Sequence, residues 1–254
     1  VGAVPGAVRV DAGTDYQLTP GRAAEACDDA TAAMLIGSPG NPTGTLASAA
    51  DLQGLAALGR RRHIGLIVDE IYHGLHYGED PAQAVAHAPD AVVVNSFSKY
   101  FGMTGWRLGW MVVPSDWVPV AEKLMQNLFI SASTPAQHAA LACFSDTALE
   151  IFESRREAFR ERRDFLLPAL RSLGFHIPGD PAGAFYLYAD VSSLCDDSFT
   201  LAEDLLERAG VAVTPGLDFE RTAPERHLRF AYTTDTDRLA EAVERIRAFL
   251  AAGG

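Results

Sequence analysis

The chain is poor in lysine and cysteine and has no long hydrophobic run. Of the 21 basic residues among its 254, only Lys99 and Lys123 are lysine; arginine supplies the rest. Cysteine occurs at Cys27, Cys143 and Cys195 only. An odd number of thiols, none close in sequence, argues against a disulfide framework or a cysteine-based zinc site. It fits a cytoplasmic protein. The apolar runs fall far short of the ~18 residues that would span a bilayer, so no membrane partner is expected. Acidic residues number 33, which sets the net charge at −12. A nucleic-acid binder needs a basic stripe, so that class is excluded too. The start, Val1 to Gly6, has neither an initiator Met nor a charged segment followed by an apolar core. It reads as a chain entered partway, with a short strand at Ala7 to Val10, and not as a secretory signal.

What is present is a core-forming, alternating pattern. Apolar residues make up 48% of the chain, enough for one large or two small domains. Strands are expected at Ala32 to Ile36, Ile64 to Val68, Ala91 to Val94 and Leu108 to Val113. Ala47 to Arg62 has helical spacing and ends in three arginines, which favours a helix C-terminus. Continuous apolar strands predict a parallel sheet covered on both faces, hence an α/β layer. Beyond about residue 145 the elements shorten. A long helix at Ala148 to Leu173 should be kinked or interrupted at Pro168. Strands follow at 183–189, 211–214 and 227–232, with helices at 200–209 and 236–250. This predicts a large domain over 1–150 and a smaller α+β domain over 151–254.

Loops beyond the carboxyl ends of parallel strands are where α/β proteins place chemistry. Ser38 to Thr45 (S-P-G-N-P-T-G-T) fixes an irregular path and holds Asn41 in it, either as a turn or N-cap residue or as a ligand. Asp69 falls where a strand ends, as a helix N-cap or as a carboxylate aimed into a cleft, with Tyr72 three residues on. His73 and His76 lack a third ligand, so they read as ordinary surface or packing residues and no metal is expected. Lys99 follows a buried strand and is flanked by aromatics, where desolvation suits a nucleophilic amine. Ser96 and Arg107 are a hydroxyl and a planar cation suited to a phosphate. A solvated loop lysine is the alternative.

Together S-P-G-N-P-T-G-T, V-D-E-I-Y and S-F-S-K-Y-F-G-M-T-G-W-R-L-G-W resemble the class I/II aminotransferases of the fold-type I pyridoxal-phosphate enzymes. P-A-G-A-F-Y-L-Y, V-A-V-T-P-G and H-L-R-F-A-Y, further along, are similar to that family as well. The resemblance implies an incomplete three-layer α/β/α large domain with a smaller α+β domain, lacking the family's N-terminal part. It implies pyridoxal 5′-phosphate as cofactor and a Schiff base at Lys99. By the same likeness Asp69 partners the pyridine nitrogen, and Tyr72 and Asn41 bond the ring 3′ oxygen. Ser96 and Arg107 hold the phosphate, and Arg229, with Asn41, takes the substrate carboxylate. The implied reaction moves an amino group from an α-amino acid to a 2-oxo acid by a ping-pong route, in a homodimer. A carbon–sulfur lyase or cyclopropane-forming synthase of the same fold would share Lys99, Asp69 and Arg107. A truncated, inactive chain is the other alternative.

Overall fold

The computed structural model describes residues 2–253; Val1 and Gly254, the outer ends of the two expected domains, lie outside them. The described chain divides into two compact units. One holds residues up to Gly40 and Thr45–Glu153; the other holds Asn41–Gly44 and Ser154 onward.

In the first unit α1 (Pro20–Ala26), β1 (Ala33–Gly37), α2 (Ala49–Arg62), β2 (Gly65–Asp69), α3 (Ala84–His87), β3 (Val92–Ser96) and β4 (Gly109–Val112) follow one another. Then come α4 (Val118–Phe129), α5 (Thr134–Leu141) and the start of α6 (Asp146–Ser172). The helix expected from Ala47 begins two residues later. Ser48 has extended backbone and its hydroxyl accepts from Asp51 N at 3.0 Å, which caps the start of α2. Leu52, Leu55 and Leu58 of α2 then bury against Met34, Ile36, Leu66, Val68 and Val93. Each such leucine contributes about 1.5–3 kcal/mol.

The sheet runs β1-β2-β3-β4. β1, β2 and β3 are parallel, but β4 runs antiparallel to β3, pairing Ser96 with Gly109. The sheet is therefore mixed. Among the described residues burial alternates along β1 and is not continuous: Leu35 is 70% exposed while Met34 and Ile36 are buried. The strand expected at Ala7 to Val10 is absent. No described strand pairs with it, and the Arg9 carbonyl accepts instead from Arg22 Nη1 at 3.0 Å. Helices α1, α3, α4 and α5 have no counterpart in the sequence reading. None of the residues of α4 is buried.

In the second unit α6 continues without a break through Pro168. Leu166, Leu167 and Leu170 flank the proline and are buried, and that apolar face outweighs the one lost backbone bond. β5 (Tyr186–Asp190), α7 (Ser198–Ala209), β6 (Thr214–Pro215), β7 (His227–Ala231) and α8 (Thr236–Ala251) complete it. The sheet order is β5-β7-β6, antiparallel throughout. Two strands are shorter than the sequence suggests. Val211 N is taken by Leu205 O, closing α7 through Gly210 in the left-handed region. Gly183 N is taken by Gly44 O, so β5 starts only at Tyr186. No helix among the described residues is long and apolar enough to cross a membrane.

Candidate active site

Parallel pairing brings the carboxyl ends of three strands side by side. Gly37, the last residue of β1, pairs with Asp69, and Asp69 pairs with Val94 of β3. Ser38 N then donates to the Asp69 carbonyl at 3.0 Å, so the loop after β1 starts beside the end of β2. Asp69 does not cap a helix. A turn follows it, and its Oδ1 accepts from Ile71 N at 3.0 Å, which orients the carboxylate at the strand end. Tyr72, in that turn, is buried.

β3 ends at Ser96, and Lys99 sits half-buried three residues later, its carbonyl held by Gly102 N at 3.0 Å. The Lys99 ammonium lies 5.5 Å from the centre of the Tyr72 ring. An amine packed over an aromatic face is not a solvated loop charge. Phe97, Met103, Cys143 and Phe152 form a small core under this turn, joined by edge contacts from Phe97 to Trp110 and from Phe101 to Phe152.

Ser96, Ser98 and Arg107 converge. Ser96 Oγ donates to Ser98 Oγ at 2.9 Å, and it accepts from Ser98 N at 3.0 Å. Arg107 Nη1 donates to the Thr104 carbonyl at 2.9 Å and reaches Ser98 Oγ at 3.4 Å. Arg107 holds φ 53°, in the left-handed region. That backbone costs about 1 kcal/mol or more in a non-glycine residue, and it sets the direction of the guanidinium. Ser98 is buried and joins the other two groups, yet it was not among the sequence candidates. The S-x-S spacing before Lys99 was the available signal.

Behind the Asp69–Tyr72 turn lies a buried polar group. Glu70 accepts from Ala84 N at 2.7 Å, and burial pushes its carboxyl upward. His73 Nδ1 is 3.5 Å from Glu70 Oε2. Burial foremost, and then the neighbouring His76, lower His73 to about 4. The ring is therefore neutral near pH 7, and its contact with Glu70 is not an ion pair. Both histidine side chains are partly buried, and His76 Nε2 lies 3.2 Å from the exposed Asp80 carboxylate.

Asn41 and Arg229 meet in the second unit. Arg229 is the central residue of β7, paired with Tyr188 on one side and Thr214 on the other. Its Nη1 donates to Asn41 Oδ1 at 2.9 Å and its Nη2 to Thr214 Oγ1 at 3.3 Å. Asn41 is thus no helix cap; Ser48 fills that role for α2. The structure brings Asp69, Tyr72, Ser96, Lys99 and Arg107 together in one unit, and Asn41 with Arg229 in the other.

A family model described as aminotransferase class I and II matches residues 2–246. The chain belongs to the class I and II aminotransferase family. It is 36% identical over 239 residues to a valine–pyruvate aminotransferase of Mycobacterium tuberculosis, covering 93% of this chain and 61% of that protein. To an aspartate/prephenate aminotransferase of Thermus thermophilus it is 37% identical over 229 residues, covering 89% and 58%. Among solved structures, an aminotransferase from Mycobacterium tuberculosis superposes with a TM-score of 0.90 at 35% identity, covering 94% of this chain and 62% of that one. The aspartate aminotransferase of Thermus thermophilus with maleate gives 0.87 at 35%, covering 95% and 63%. The fold of this aminotransferase-family chain is accordingly α/β of fold-type I. The chain spans about three fifths of the length of the relatives it matches.

Proposed function

We propose that the chain carries the catalytic groups of a pyridoxal-phosphate-dependent aminotransferase, which moves an amino group from an α-amino acid to a 2-oxo acid in successive half-reactions. The observation that carries this reading is Lys99 beyond the end of β3, packed over Tyr72, beside a strand that ends in Asp69.

The donor set fits pyridoxal 5′-phosphate. Ser96 and Arg107, joined through Ser98, offer two hydroxyls and a guanidinium to a dianionic phosphate. Asp69 has a second carboxylate oxygen with no hydrogen bond among the described residues, suited to a protonated pyridine nitrogen. Tyr72 and Asn41 would bond the ring 3′ oxygen, and Lys99 Nζ would hold the cofactor covalently. When bound, the cofactor supplies an electron sink for the substrate Cα and a carrier for the amino group. Lys99 moves the proton from the substrate Cα. Asp69 keeps the pyridine nitrogen protonated so that the sink works. Arg229 pairs with the substrate carboxylate, assisted by Asn41, and fixes which Cα bond is presented. On this reading the domain spanning 1–150 supplies Asp69, Tyr72, Ser96, Lys99 and Arg107 for the cofactor, and that spanning 151–254 supplies Arg229 for the carboxylate. The names of the relatives support small aliphatic or acidic amino acids as donors, with pyruvate or a dicarboxylic oxo acid as acceptor. The protein is further read as a cytoplasmic homodimer. Its cysteines are free thiols, and α4 exposes Val120, Leu124 and Leu128, an apolar row that a second copy would cover.

Titration of the full chain with pyridoxal phosphate, followed by borohydride and mass spectrometry, tests the reading. The expected result is one cofactor adduct on Lys99 and, without borohydride, one equivalent of 2-oxo acid released by an amino acid added alone. Equal labelling of wild type and Lys99→Ala, or pyruvate with ammonia as products, would overturn it.

A further inference from the structure

Arg229 lies against two aromatic rings. Its guanidinium carbon lies 4.3 Å from the centre of the Tyr186 ring and 4.7 Å from that of Phe219. Its polar partners, Asn41 and Thr214, are neutral, and its buried Nε carries no hydrogen bond among the described residues. The guanidinium thus has only neutral hydrogen-bond partners and lies over two aromatic rings.

The two rings are held differently. Tyr186 is a buried residue of β5 and stays with the sheet. Phe219 belongs to the segment between β6 and β7 and needs its own anchor. That anchor is the next residue. The Glu220 carboxylate accepts from Tyr188 Oη at 2.9 Å and lies 2.5 Å from His227 Nδ1, whose ring stacks on Tyr188 at 4.7 Å. At the start of the segment Gly216 O accepts from Phe219 N at 2.8 Å and from Glu220 N at 2.9 Å. A Cβ on Gly216 would come within 2.5 Å of the Pro224 carbonyl, so the segment closes on itself only with glycine there.

We infer that Phe219, anchored through Glu220 to Tyr188 and His227, is a positioning residue that sets the plane of Arg229 for bidentate pairing with the carboxylate of both substrates. The inference rests on the proposed carboxylate role of Arg229. A guanidinium free to rotate about its last torsions would lose alignment before it lost charge. The consequence is weaker carboxylate binding with cofactor binding intact.

The test uses the full chain labelled with 15N at arginine. The Arg229 Nε–H resonance is assigned by its loss in Arg229→Met. Titration with propionate, a carboxylate that cannot react, is followed at resonances that shift in wild type. Phe219→Leu, and Phe219→Met as a variant that retains volume, are expected to move the Arg229 signal toward the unshifted position and to weaken propionate roughly five- to tenfold. Phe219→Tyr is expected to restore both, and pyridoxal-phosphate affinity should stay the same in all three. In turnover, KM for amino acid and oxo acid should rise together while kcat changes little. If propionate binds equally well to Arg229→Met, the carboxylate role itself fails. If Arg229→Met abolishes binding but Phe219→Leu and Phe219→Met bind as wild type does, the carboxylate role stands and the clamp is overturned.

Discussion

Replacing His73 with glutamine should make the protein less sensitive to acid. His73 is 13% exposed at the side chain and sits between Glu70 and His76 in the turn behind Asp69 and Tyr72. Its folded pKa is lowered to about 4 from an ordinary 6.5. The unfolded chain therefore takes up a proton that the folded chain refuses. The stability tied to the neutral ring is fully present above about pH 6.5 and is lost as pH falls toward 4. The gap of about 2.5 pKa units amounts to roughly 3 kcal/mol in full. Between pH 7 and pH 5 the linkage relation gives a loss of about 2 kcal/mol. Glu70 acts in the opposite sense: burial raises its carboxyl, so its protonation favours the folded state as pH falls. That contribution remains in His73→Gln and is subtracted in the comparison. The assay is urea unfolding of both proteins at pH 7 and pH 5. Wild type should lose about 2 kcal/mol more than the variant over that interval. Parallel losses in the two proteins, or a His73 resonance titrating near pH 6.5, would refute the reasoning.

Two further outcomes are expected. Gly44→Ala places a Cβ 2.8 Å from the Gly183 carbonyl at φ +68°; it should lower stability by about 1–3 kcal/mol in urea unfolding, and a loss below a few tenths would show that the loop yields. Asp69→Asn can still accept from Ile71 N and leaves the turn intact while removing the charge. It should bind cofactor yet slow the half-reaction with amino acid about a hundredfold or more in stopped flow, and an unchanged rate would remove Asp69 from its proposed role.

The order of β1, α2, β2, β3 and β4, and of the elements from α6 onward, was legible because it is written in local pattern. The apolar runs and the three arginines closing α2 act within a turn or two of themselves. Strand direction was not. An apolar run such as Trp110 to Val113 does not say which way it runs. β4 proved antiparallel because the segment from Phe97 to Leu108 folds back on itself, with Phe97 N bonded to Leu108 O. The apolar row Val120, Leu124 and Leu128 has helical spacing that the chain itself displays, but the exposure of α4 is set by the tertiary structure.

The same division holds at the site. The sequence by itself determined which side chains could carry amine, carboxylate and phosphate-binding chemistry, because reactivity belongs to residue type and to the short motifs around Asp69 and Lys99. Only the tertiary structure decided what surrounds them. Ser98 links Ser96 to Arg107, Glu70 lies buried behind the turn with the partly buried His73 beside it, and Tyr186 and Phe219 lie against Arg229 from positions 43 and 10 residues away along the chain. The physical reason is range. A cap or a motif acts between neighbours in sequence, whereas burial, desolvation and ring stacking are set by groups that meet only once the strands have paired.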